Sequence, residues 1–237
     1  MKVDARIPGP HGTMLKRNIY EDAYKLYLKH NSRTPPVIVD GGSCRGEMLI
    51  KLNSFFPKSV IHGFEAHPQL FAKLKQKFAA NKNIVLYNKL LSDTVGTEKF
   101  GISGYAGSGS IHEPTDWLVR MIGNKAKVVQ VVDAPSVTLD SVLARVDVMK
   151  LDVQGAELKV LNGAARLLKD IKLVILEVMF ADYYKNQPFF VDLHDYMVKH
   201  NFQMFGLYDL STCTDGNLVA ADALFINLDY YNKIFSS

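Results

Sequence analysis

The sequence predicts an α/β fold built on an open, mostly parallel sheet. Three observations carry this. Short apolar segments alternate with helical patterns at the spacing of βαβ units. One of them, Ile171 to Phe180, is apolar nearly throughout, as a strand covered on both faces should be. Glycines follow the first apolar segment and lead into a helix, as where a sheet meets a ligand.

The elements follow in order. Residues 1–34 are an irregular arm with Pro8, Gly9 and Pro10, then a helix over 14–30 with Leu15, Ile19, Ala23, Leu26 and Tyr27 at helical spacing. Proline ends it before Val37. Residues 35–237 form a single domain. Its strands are 36–40, 59–66, 83–91, 146–153 and 171–180, with helices over 46–56, 68–80, 156–170 and 189–201. Strands over 203–210 and 223–229 close the chain. The stretch 96–140 breaks the rhythm. Its ends, 96–103 and 127–133, read as short edge strands, with a Gly/Ser-rich loop and a short helix near Trp117 between them. A long irregular insertion in a compact domain is more often a functional loop than filler.

Composition narrows the class. The 237 residues are 48% hydrophobic and 22% charged, with net charge +4 and no block of like charges. That slightly favours anionic ligands without arguing for nucleic acid. No apolar run reaches the length of a membrane span, and the first residues lack an apolar signal core. The two cysteines, Cys44 and Cys213, form no CxxC pair or Cys/His cluster, so no metal is expected. A reduced, cytoplasmic compartment is the expectation.

Four motifs stand at carboxyl ends of strands, where ligands of such sheets bind. Val37 to Gly46 reads VIVDGGSCRG. Asp40 is a poor neighbour for a pyrophosphate and a better one for an ammonium group. D-x-G-x-x-x-G is the spacing of S-adenosylmethionine sites, although a capped strand-to-helix turn would read the same way. Glu65 ends the next strand about 20 residues on, where an acid binds ribose hydroxyls or caps the following helix. Ser92 and Asp93 either reach an adenine or form a turn. In Lys150 to Ala164, Asp152 ends a strand. Lys150 shares a strand face with it, first as an ion-pair partner.

VIVDGGSCRG, FEAHP, LLSDTVG, VTLDSV, VDVMKLDVQGAELKVLNGA and LVILEV occur in this order between Val37 and Val178. Together they resemble the FkbM-like family of S-adenosylmethionine-dependent methyltransferases. The resemblance implies a class I methyltransferase (Rossmann-like) fold, with a seven-stranded sheet ending in an antiparallel hairpin. It implies O-methylation of a hydroxyl on a sugar, glycan or natural-product small molecule, with S-adenosyl-L-methionine as cofactor. By position, Asp40, Gly42, Ser43 and Gly46 would hold the methionine part, Glu65 the ribose, and Ser92 and Asp93 the adenine. The family's DVxGAE turn maps onto Asp152 to Glu157. The family usually has glutamate where this chain has Gln154, so one charge is lost from that turn.

An alcohol is a weak nucleophile at neutral pH, so a general base is expected. Asp152, Glu177 and His112 are the candidates. Asp152 ranks first as a site residue, while His112 has the more natural intrinsic pKa. The acceptor pocket is expected from the N-terminal arm and helix, the 104–118 loop and the aromatic run Ala181 to Phe190. Methylation of nitrogen or nucleic acid is the alternative. It is marked down because the fourth-strand loop reads DVQG rather than the Pro-Pro-aromatic loop of many such enzymes. A dinucleotide oxidoreductase lacks its GxGxxG, and a non-catalytic cofactor-binding module has only Gln154 in its favour.

Overall fold

The computed structural model of the chain describes residues 17–31, 33–105, 107 and 109–235. The expected arm over 1–13 and the first turn of the expected helix lie outside these residues. Helix α1 runs Ile19–Asn31. It starts later than the apolar spacing implied because the Asn18 side chain accepts from the amides of Tyr20 and Glu21.

The elements that follow are β1 (Val37–Gly41), α2 (Glu47–Phe55), β2 (Val60–Phe64), α3 (Pro68–Lys77) and β3 (Ile84–Tyr87). Next come β4 (Leu90–Leu91), β5 (Gly96–Ser103), α4 (Asp116–Ile122), β6 (Val128–Val137) and α5 (Leu139–Val142). The last are β7 (Val148–Leu151), α6 (Glu157–Asn162), β8 (Leu173–Met179), α7 (Phe190–Lys199), β9 (Phe202–Thr212), β10 (Leu218–Asn227) and α8 (Leu228–Phe235).

Seven strands form one sheet in the order β3-β2-β1-β7-β8-β10-β9. The pairs from β3 to β8 are parallel, and β10 runs antiparallel to both its neighbours. This is the predicted sheet with its C-terminal hairpin. The order turns at β1 and β7, whose carboxyl ends therefore flank the crevice. Apolar residues bury against both faces. Leu151, Leu176 and Val160 belong to one cluster, and Ile38, Ile175 and Leu224 to the other.

Four expectations need correction. The segment 83–91 is not one strand: β3 stays in the main sheet and β4 pairs with β6. Asn88 causes the break, because its side chain donates to the carbonyls of Glu65 and Ala66 at the bend. The ends of the 96–140 insertion are not edge strands of the main sheet; with β4 they build a separate three-stranded sheet, β4-β6-β5. The expected helix over 156–170 stops at Asn162. A Cβ on Gly163 would lie 2.0 Å from the Ser92 carbonyl oxygen, so the helix yields to that close approach. Finally, the strand expected over 223–229 ends at Asn227. Its side chain accepts from Asp229 and Tyr230 amides and starts α8. The short helix near Trp117 is present as α4, capped by Thr115.

Candidate functional site

Beyond the carboxyl ends of β1, β2, β7 and β8 lies a cavity of about 300 Å³. The glycine loop supplies Gly42, Ser43 and Cys44, and Glu65 follows directly on β2. The DVQG turn supplies Asp152 and Gln154, and β8 supplies Glu177. The insertion adds Phe100, Tyr105 and Ile111 as a wall.

The glycine loop is shaped by its neighbour. Gly42 has φ +81°, and a Cβ there would lie 1.9 Å from the Asp152 carbonyl oxygen. Only glycine fits between the first strand and the DVQG turn. Two residues on, Cys44 has φ +48°, and its amide donates to Glu65 Oε2 at 2.7 Å. The other carboxylate oxygen of Glu65 accepts from the His67 amide, also at 2.7 Å. Glu65 thus fastens the loop to the start of α3, and it lines the cavity as well. Burial raises its carboxyl, partly offset by those two amides. The loop's bond to Glu65 runs through the Cys44 backbone. Cys44→Ala is therefore expected to change the melting temperature and ligand affinity little. A loss of several degrees would give the thiol a role.

The floor is ionic. Lys150, 2% exposed, lies 3.1 Å from Asp152 Oδ2 and 4.0 Å from Asp40 Oδ1. Burial works against the charge of Lys150, but the two carboxylates outweigh it and keep it protonated. Asp40 is fully buried and is absent from the cavity lining. Among the described residues its carboxylate oxygens accept no hydrogen bond. Burial raises its carboxyl and Lys150 draws it back.

Asp152, just past β7, and Glu177, near the end of the neighbouring parallel β8, stand at one level, since Leu151 is in register with Leu176. Gln154 Nε2 donates to both, at 2.7 Å to Asp152 Oδ1 and 2.7 Å to Glu177 Oε2. Their environments diverge. Burial would raise Asp152, but Lys150 and the surrounding hydrogen bonds hold it low. Burial, then the charge of Asp152, pushes Glu177 well up. One carboxylate held ionised beside one that takes a proton readily is the pattern of an orienting group and a base. Glu157, at the start of α6, is fully buried and pushed up to about 7 by burial; its Oε1 accepts from the Val153 amide.

Several predicted residues sit elsewhere. Gly46 precedes α2 and packs on Phe78 and Leu74, off the lining. Ser43 reaches the lining while its hydroxyl donates to the Asp40 carbonyl. The Ser92 hydroxyl lies within hydrogen-bond reach of Glu98 and Asp93, and Lys159 donates to Glu98 and pairs with Asp93 at 3.8 Å, so this group is internally paired. Lys89, Leu90 and Leu91 line the cavity there instead. His112 is half-buried behind Gly155 and does not line the cavity. Burial, then the nearby Lys159, lowers its pKa.

The segment 181–190 also contributes no lining. Its Tyr184 hydroxyl donates to Gln154 Oε1, and Tyr183 stacks on Trp117. Helix α1 reaches the site through Tyr20, whose hydroxyl donates to Met48 Sδ. Residues 106 and 108 of the expected acceptor loop lie outside the described residues. Sequence reasoning missed Glu47, Met48 and Lys89 as lining residues, since none carries a motif, whereas Tyr105 belongs to the expected 104–118 loop. Among the described residues, no cluster of three or more His, Cys, Asp or Glu side chains is placed to hold a metal ion. No described helix is long and apolar enough to cross a membrane.

Comparison with known proteins adds the family. A family model described as the methyltransferase FkbM domain matches residues 40–204. No curated protein matches the chain in sequence. An rRNA methylase from Streptococcus thermophilus aligns in structure with TM-score 0.51 and 12% identity. The alignment covers 91% of this chain and 99% of that one. This likeness bears on the fold alone. Two others fall below a TM-score of 0.5 and carry no argument. They are magnesium protoporphyrin IX methyltransferase from Synechocystis PCC 6803 (0.49, 12% identity, 87% and 77% covered) and a precorrin-6y C5,15-methyltransferase from Geobacter metallireducens GS-15 (0.46, 11%, 87% and 89%).

Proposed function

Since the chain belongs to the FkbM family of S-adenosylmethionine-dependent methyltransferases, we propose that it methylates a hydroxyl oxygen. The acceptor we infer is a sugar, glycan or natural-product small molecule. The observation that carries this reading is the Asp152–Glu177 pair at the cavity floor. It offers an ionised carboxylate beside one whose proton affinity is raised. A hydroxyl needs a group to take its proton as it attacks, which an amine nitrogen with a free lone pair does not.

The lining chemistry fits the cofactor. When bound, S-adenosylmethionine supplies an activated methyl group on a positively charged sulfur. Glu47, Glu65, Asp152 and Glu177 surround the cavity with negative charge suited to its sulfonium and ammonium groups. Glu65 has lone pairs left after its two amide bonds and takes the ribose hydroxyls. Gly42 lets the loop backbone approach the methionine part. Glu177 accepts the acceptor's proton, and Asp152, held ionised by Lys150, orients. His112, behind Gly155, is a second-rank candidate for that base.

The same lining bears on the acceptor class. Four carboxylates face two lysines, and one of these, Lys150, is held by Asp40 and Asp152. Such a surface favours a neutral or cationic acceptor over a polyanion, which counts against nucleic acid.

The test has two stages. Calorimetry on the full chain is expected to show S-adenosylhomocysteine binding. Labelled methyl is then offered with panels of sugars, phenols, amines and RNA. Label on oxygen supports the reading; label confined to nitrogen or RNA removes it. Glu65→Ala is expected to weaken S-adenosylhomocysteine by roughly 10–100-fold, the worth of one or two hydrogen bonds to a charged group. Unchanged affinity with a lowered melting temperature would reduce Glu65 to a fastener between loop and helix.

A further inference from the structure

We propose that Gln154 is a positioning residue whose amide nitrogen takes the place of a cation between Asp152 and Glu177. Resting on the reading of that pair as the reacting end of the site, the inference concerns what holds the pair together.

Two carboxyl groups at the same level of adjacent strands repel unless something positive or protonated lies between them. Here Gln154 Nε2 lies between them, 2.7 Å from each. Its NH₂ has two hydrogens and no acceptor site, so each carboxylate receives one. The orientation of the amide is fixed by chemistry, because Asp152, held ionised, only accepts, and Oε1 takes the Tyr184 hydroxyl at 2.8 Å.

The backbone shows the same commitment. Gln154 has φ +55°, a left-handed conformation that a residue with a side chain adopts at a cost. Ser110 Oγ holds it there, donating to the Gln154 carbonyl oxygen at 2.7 Å. Ser110 and Tyr184 come from the insertion and from the segment after β8. Both distant segments therefore converge on this one side chain, which is more support than a tight turn requires.

Glutamate at 154 would put a carboxylate oxygen where Nε2 now lies. Three oxygens at such separations need a proton or a cation among them. An all-oxygen set favours a hard divalent cation such as Mg²⁺ or Mn²⁺. Gln154 thus makes the pair independent of a divalent cation, and Gln154→Glu creates that dependence.

Manganese alone is the probe, titrated into the full chain at pH 7.5 and read by electron paramagnetic resonance. Wild type is expected to show no stoichiometric site. Gln154→Glu is expected to hold one Mn²⁺ per chain at least about 30-fold more tightly, since added carboxylate charge tunes such affinities. The further change Glu177→Gln should abolish it. Tight Mn²⁺ binding by wild type that Glu177→Gln removes would overturn the proposal. So would a folded Gln154→Glu that binds no better than wild type.

If Gln154→Glu does not fold, Gln154→Leu provides the test through the ¹³C titration of Glu177. The groups facing that carboxyl are Asp152, Glu157, Asp222, Tyr183, Tyr184 and, through Asp152, Lys150. Without the N–H donor that favours its ionised form, Glu177 should titrate at higher pH. An unchanged curve overturns the proposal. S-adenosylhomocysteine calorimetry on wild type runs alongside; its failure would strike the methyl-transfer reading and leave the manganese and titration results standing.

Discussion

Lys150→Met is expected to destabilise the fold by about 3–5 kcal/mol, the usual cost of breaking a buried ion pair by removing one partner. The loss would be read as a fall in the unfolding free energy in urea at pH 7. Lys150 is 2% exposed and Asp40 is fully buried, so neither can turn to water. Asp40 is in register with Lys150 across β1 and β7, and its oxygens accept no hydrogen bond among the described residues. Once the ammonium is gone, the desolvation of that carboxylate loses the largest influence that offsets it. Domains are stable by only about 5–15 kcal/mol, so this single change removes a large share.

The pH dependence has a definite sign. In the variant the Asp40 carboxyl rises further above its unfolded value. A group with a raised folded pKa contributes stability that is present below the unfolded pKa and lost as pH rises through the folded one. Asp152 acts in the same direction. Its lowered carboxyl contributes stability above the unfolded pKa, and that contribution depends first on Lys150. The deficit should therefore be small near pH 4 and grow toward neutrality. Adding Asp40→Asn should recover part of it, because the orphaned charge is then gone. A constant deficit from pH 4 to 8 would mean that Lys150 acts through packing alone.

The Asp40–Lys150 pair also marks how far the sequence could be read. The parallel strands, their order of appearance and the crevice at their carboxyl ends were legible, because apolar runs and glycine turns are local signals. Lys150 beside Asp152 was legible for the same reason, being two residues away on one strand face. Asp40 was not. D-x-G-x-x-x-G implies an acid at the cavity, but the sequence does not show which residue of β7 lies opposite. The strand pairing sets Asp40 under the loop, beside a lysine 110 positions away. Ser92 and Asp93 were drawn off by Lys159 and Glu98, partners from α6 and β5 that no local pattern links. Gln154 read as a missing charge. Its role appears only once β7 and β8 are neighbours and their acids stand side by side. His112 had a suitable intrinsic pKa, but the insertion's own sheet sets it behind Gly155, a matter of long-range packing.

Glu177→Gln is expected to lower turnover by about 10²–10⁴-fold, the range for loss of a general base, with S-adenosylhomocysteine affinity little changed. Rates would be measured on whichever hydroxyl acceptor the labelled-methyl panel identifies. The variant isolates proton transfer well. Glutamine keeps the size of the side chain, and its carbonyl oxygen still accepts from Gln154 Nε2, so the pair's geometry should survive. What it loses is the capacity to take a proton. The pH profile provides the sharper distinction. A base must be ionised, so wild-type turnover should rise as pH passes through the elevated pKa of Glu177 and then level off. Asp152 is held low and stays ionised throughout, adding no limb to the curve. In Glu177→Gln the rising limb should vanish along with most of the rate, whereas in His112→Ala both should remain. If instead Asp152→Asn abolishes turnover while Glu177→Gln retains both rate and limb, the proton passes to Asp152. The raised pKa of Glu177 would then reflect only its burial beside another acid.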